Sequence, residues 1–81
     1  MGPEKREAPV KGGVLVAWPE RQLLFVGGSD IRVFEMNTLS KVATFKTEGN
    51  VSSMAITPDG SKLFVQTDKA YHAFVIDSAV R

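Results

Sequence analysis

The chain has 81 residues and no cysteine, with ten Lys and Arg against nine Asp and Glu for a formal net charge of +1. That length supports one small domain with a modest buried fraction, and without thiols neither disulfides nor thiolate–metal sites can staple it. Charges of both signs are interspersed, which excludes the basic footprint of a nucleic-acid binder, and no apolar run approaches the ~20 residues of a membrane span.

Residues 1–13, MGPEKREAPVKGG, mix Pro, Gly and charge without periodicity and read as a flexible N-terminal tail. Within it Ala8-Pro9-Val10 can run extended and add a strand to a neighbour. No apolar segment of signal-peptide type follows the charged start, so a cytoplasmic location is the expectation.

From residue 14 onward hydrophobic residues alternate with a period of two. Val14–Trp18 forms a first strand and Pro19-Glu20-Arg21 a turn. Gln22–Val26 forms the second strand, ended by Gly27-Gly28-Ser29-Asp30, and Ile31–Met36 the third. After a turn at Asn37–Ser40, the strand Lys41–Lys46 is polar enough for an outer edge. Val51–Ile56 and Lys62–Val65 flank Thr57-Pro58-Asp59-Gly60-Ser61. There Pro58 presets φ, Asp59 can accept a hydrogen bond from the backbone two residues on, and Gly60 accepts positive φ. Tyr71–Ile76 is the last full strand, ending at Asp77-Ser78, and Ala79-Val80-Arg81 can begin one more. The fold class is all-β, with seven to eight short strands. Every segment is under eight residues and rich in Val, Ile and Phe, which favours strand over helix.

The chain repeats itself. Trp18-Pro19-Glu20 aligns with Thr57-Pro58-Asp59 at an offset of 39 residues, and Leu24-Phe25-Val26 then falls on Leu63-Phe64-Val65. After one inserted residue Phe34 falls on Phe74, Met36 on Ile76 and Asn37-Thr38 on Asp77-Ser78. A four-stranded unit of about 40 residues has the period of a β-propeller blade. The segment TLSKVATFKTEGNVSSMAITPDGSKLFV, followed by AFVIDSAV, resembles blades of the WD-repeat and YVTN-type propeller group, with its [ST]-P-D-G turn between the first two strands. The Gly-His and Trp-Asp pairs of strict WD repeats are missing, which favours the YVTN-like subgroup. The resemblance implies blade 1 over residues 14–49 and blade 2 over 50–81, the second lacking its full outer strand. Propellers close with roughly four to eight blades. A pair by itself leaves two apolar sheet faces in water, because Phe74 and Ile76 point one way, Ala73 and Val75 the other, and both sets are apolar.

Residues with chemistry are few. His72 is the single histidine, and no spacing joins it to Ser52, Ser53 or Asp68 as a triad or metal site. In the repeat it matches Arg32, a polar slot beside Phe34 and Phe74. Gly27-Gly28-Ser29-Asp30 lacks the following helix that a phosphate-cradling loop needs. Asp30, Asp59, Asp68 and Asp77 all fall at turns, where Asp is locally favoured. No catalytic group, cofactor or metal is expected. The expected contact residues are Trp18, which fills a slot its counterpart fills with Thr57, together with Arg32, Tyr71 and His72.

These features point to a non-catalytic protein–protein interaction or assembly module. It would complete a propeller by self-association, with three or four copies in a ring, or with blades of another chain. Neither nucleic acid nor membrane is an expected partner. Two alternatives remain open on sequence: part of a lactonase-like propeller enzyme or small-molecule binder, which the resemblance also allows, and an engineered or excised blade pair without a native role.

Overall fold

A computed structural model describes residues 7–10 by their backbone and residues 13–76 in full. The described residues form eight strands: β1 (Glu7–Val10), β2 (Gly13–Trp18), β3 (Leu23–Gly27), β4 (Asp30–Glu35), β5 (Lys41–Lys46), β6 (Val51–Ile56), β7 (Lys62–Thr67) and β8 (Tyr71–Val75). They make two antiparallel sheets, ordered β1-β2-β3-β4-β5 and β6-β7-β8, neither of them closed. Among the described residues the protein is all-β, interrupted by a single 3-10 turn at Pro19–Arg21. No helix there is long and apolar enough to cross a membrane.

Two local features differ from the sequence reading. Glu7–Val10, within the stretch whose composition suggests a tail, pairs with β2 from Glu7 opposite Val16 to Val10 opposite Gly13. Pro9 is tolerated there because β1 is an edge strand. Gln22, expected to open the second strand, adopts a left-handed conformation (φ 56°) and closes the turn by donating its N–H to the Pro19 carbonyl at 3.0 Å. Residues 77–81, where the sequence reading ends the last strand at Asp77-Ser78 and begins a further one, lie outside the described residues.

The second turn is built as its residue types dictate. Gly60 takes φ +76° and donates its N–H to the Thr57 carbonyl at 2.8 Å. The Thr57 N–H reaches the Lys62 carbonyl at 3.0 Å, closing the β6–β7 hairpin. Lys41–Lys46 lies at a sheet edge, where its charged ends face water and discourage further pairing.

The core lies between the sheets. Val14, Val16, Leu23, Phe25, Ile31, Val33 and Phe45 of the first sheet are buried with Val51, Met54, Leu63, Val65 and Ile76 of the second part of the chain. The sheets approach most closely along β2 and β6. Gly27 allows this approach: a Cβ there would stand 2.7 Å from Val51 Cγ1 and 3.1 Å from Met54 Cε. Phe45 and Phe74 meet across the far side with ring centroids 4.9 Å apart. The one buried polar side chain among the described residues, Thr67, is satisfied. Its hydroxyl donates to the Glu48 carbonyl at 2.6 Å and accepts from the Ala70 N–H at 2.9 Å.

Candidate functional site: the two open sheet faces

Strand register places the repeated residues in matching cross-strand rows. In the first sheet Ala17, Leu24 and Phe34 stand side by side, and in the second Ile56, Leu63 and Phe74 do the same. Likewise the row Leu15, Val26, Arg32 corresponds to Met54, Val65, His72. On the opposite faces, Val16, Phe25, Val33 corresponds to Ala55, Phe64, Ala73.

Burial is inverted between the two sheets. The row through Phe25 is buried and the equivalent row through Phe64 is exposed. The row through Leu63 faces the core and the equivalent row through Leu24 is half-buried on the outer side. A strand turns alternate side chains to opposite faces, so the sheets stack front to back and like faces never meet. Two faces therefore remain without a second layer of described strands. One carries Leu15, Leu24, Val26 and Phe34, and the other Phe64, Tyr71, Ala73 and Val75. On the second face Phe64 is 49% exposed, Val75 55% and Tyr71 81%, which is unusual for large apolar side chains that share one face. A shallow depression of about 230 Å³ sits on this face among Ser53, Ala55, Phe64, Gln66 and Tyr71.

The four residues picked from sequence do not converge. Trp18 is half-buried, and its ring lies against Gly60 of the second turn, bridging the two repeats. The Arg21 guanidinium caps that ring at 5.0 Å from its centroid, a cation–π arrangement. Arg32 is exposed on the outer face of the first sheet and pairs with Asp30 (Nε–Oδ1 3.3 Å). Tyr71 stands on the outer face of the second sheet. His72 points to the opposite side from Tyr71, stacks on Phe74 with centroids 5.6 Å apart, and accepts the Glu48 N–H on Nε2 at 3.2 Å. Sequence reasoning missed Phe64 and Val75. Their signal was the apolar character of both faces of the last strands, which does not reveal which face the first sheet covers.

Asp59 and Glu35 are taken up by their own turns, and Asp68 ties its turn to the β5–β6 connection. Asp68 Oδ1 accepts the Asn50 N–H at 2.8 Å, and Glu35 accepts the Thr38 N–H at 2.8 Å. Asp59 Oδ1 accepts the Thr57 hydroxyl at 2.7 Å and the Ser61 N–H and hydroxyl at 3.0 and 2.9 Å. No group of three or more His, Asp or Glu is placed to hold a metal among the described residues. The Gly27–Asp30 segment turns straight into strand β4, and its Gly28 carbonyl accepts the Val51 N–H at 2.8 Å.

The Asp59 bonds have a measurable consequence. Donation by the Thr57 hydroxyl, then by the Ser61 N–H and hydroxyl, lowers the Asp59 carboxyl from 3.8 to about 2. A carboxylate whose folded pKa lies below its unfolded one stabilises the fold above the unfolded value, and that contribution is lost as pH falls through the folded value. Denaturant midpoints should therefore drop as pH falls from about 3.8 towards about 2. Glu35, lowered chiefly by the Thr38 N–H, acts in the same direction. Asp59→Asn should flatten the acid limb without removing it. An Asp59 carbon-13 titration with an unperturbed midpoint would refute this account.

Compared with protein-family models, curated proteins and solved structures, the chain gives no match.

Proposed function

We propose that this chain is a non-catalytic protein–protein interaction or assembly module made of two consecutive β-propeller blades of YVTN-like type. One observation carries the reading: the rows through Leu24 and Phe25 and their equivalents through Leu63 and Phe64 are apolar on both faces, yet each sheet has only one face covered by described strands. A sheet apolar on both faces belongs in the interior of a stack, and exposed apolar patches on small proteins mark interaction surfaces. The non-catalytic character is supported by the engagement of His72 Nε2 and of the described Asp side chains in hydrogen bonds to the backbone or to turn hydroxyls and in an ion pair.

The test is light scattering after size exclusion over a wide concentration range, paired with binding of the dye ANS. Assembly beyond the 8.8 kDa chain, with ANS binding that falls as mass rises, is the expected result. A monomer that binds ANS keeps the docking reading and assigns the faces to another protein. A monomer at every concentration that binds no ANS would overturn it, because the faces would then be adequately solvated without a partner.

A further inference from the structure

Resting on that reading, we infer that the occupant of the open faces is a second copy of this chain, bound head to tail. The Leu24–Val26–Phe34 face of one copy covers the Phe64–Tyr71–Val75 face of the next. The interface inside the chain supplies the argument. It packs the Phe25 row of the first repeat against the side of the second sheet that carries the Leu63 row. The open face of the second sheet is the repeat counterpart of the first of these, through Phe64. The open face of the first sheet is the counterpart of the other, through Leu24. The two open faces thus stand to each other as the two buried faces already do, and an intermolecular contact would continue the internal one. A symmetric dimer would pair a face with itself, a relation that the chain nowhere uses.

The depression on the second sheet fits the same scheme. Inside the chain, Val51 and the Met54 methyl together occupy the space over Gly27. The counterpart of Gly27 is Gln66, which lines the depression, and the counterpart of Met54 is Leu15, on the open face of the first sheet. Gln66 is larger than Gly27, but Ser53 and Ala55 stand where the first sheet has the bulkier Val14 and Val16. Room for an entering side chain is thereby kept, and Leu15 of a second copy fills it. Head-to-tail contacts close into a ring when the rotation per copy divides the circle. Three or four copies of two sheets would make six to eight, within the roughly four to eight of known radial arrangements.

The experiment uses two full-length variants, each spoiling one face. Val26→Glu places a carboxylate opposite Arg32 across β3–β4, so the strand pair is kept while the first face becomes charged. Phe64→Glu charges the second face at an exposed position. Wild type should have about three to four times the 8.8 kDa chain mass. Each variant alone should be monomeric, and an equimolar mixture should form a complex of twice 8.8 kDa and no larger, through the one intact pair of faces. If either variant dimerises alone, a face is pairing with itself and the head-to-tail inference fails. If wild type associates but the mixture does not, other surfaces carry the association and the inference fails too. A wild type that stays monomeric also overturns it, and ANS binding then decides separately whether the docking reading survives. Should Val26→Glu not fold by circular dichroism, Val26→Thr with the same mixing scheme takes its place.

Discussion

Phe25→Ala is expected to unfold most of the chain, whereas Phe64→Ala, the same residue type at the same place one repeat later, should leave folding intact. Phe25 is fully buried between the sheets and Phe64 is half exposed. Removing a buried Phe side chain typically costs about 3–5 kcal/mol, as lost transfer free energy plus the cavity left behind. Whole domains hold only about 0.05–0.15 kcal/mol per residue, so for a chain this short such a loss consumes most of the margin. The outer position has no cavity to create, and its truncation should fall near the ±0.5 kcal/mol usual for surface changes. Urea unfolding at low protein concentration, followed by the fluorescence of Trp18, measures both. A Phe25→Ala protein that unfolds within about 1 kcal/mol of wild type would mean that the sheets do not pack through this row. At high concentration the order should change, since Phe64→Ala would lose the association that wild type gains, and its stability would stop rising with concentration.

Gly60→Ala carries the second large effect, because two independent costs meet there. The residue has φ +76°, a conformation in which a side chain costs about 1–2 kcal/mol. In addition, a Cβ would overlap Cη2 and Cζ2 of Trp18, whose ring is held by the Arg21 guanidinium. Overpacking of this kind costs about 1–3 kcal/mol, so a total of about 2–5 kcal/mol is expected. The two parts separate in a double-mutant cycle with Trp18→Leu, read by circular dichroism. The steric part should vanish in that background and the backbone part should persist. Equal costs in both backgrounds would mean that Trp18 does not rest on the second turn. The cycle also bears on the sequence reading of Trp18. Its counterpart Thr57 binds its own turn through the hydroxyl, whereas Trp18 spends its larger surface on the next repeat's turn.

Much of the fold was legible in the residues because its causes are local. Val, Ile and Phe alternating over short runs, broken by Pro, Asp and Gly at turns, lead to antiparallel hairpins through backbone sterics alone. The Thr57–Ser61 turn formed with Asp59 bonding two residues on and Gly60 at positive φ, as those residue types require. The repeat was also legible, and the structure sets its aligned residues in matching pairs, Leu24 beside Phe34 and Leu63 beside Phe74. Less legible was Gln22, which chain geometry forces into a left-handed turn that its side chain does not announce. The pairing of Glu7–Val10 with β2 was hidden as well, since a strand with Pro and charge gains its place from a neighbour's free edge. Trp18, Arg32, Tyr71 and His72 were chosen as residue types that make contacts, but their separation over different faces follows from strand parity and stacking.

Sequence alone thus determined the class of fold, the strands of residues 14–76, the second turn and the existence of two apolar faces per sheet. Only the tertiary structure decided which face of each sheet is covered. Alternation with a period of two says that residues 24 and 25 face opposite ways, and it is indifferent to which of them looks inward when both are apolar. That choice was made by the approach of β6 to β2, by the missing side chain of Gly27 beneath Val51 and Met54, and by the meeting of Phe45 with Phe74. These are contacts between residues tens of positions apart, and their energy depends on shapes that exist only once both sheets have formed.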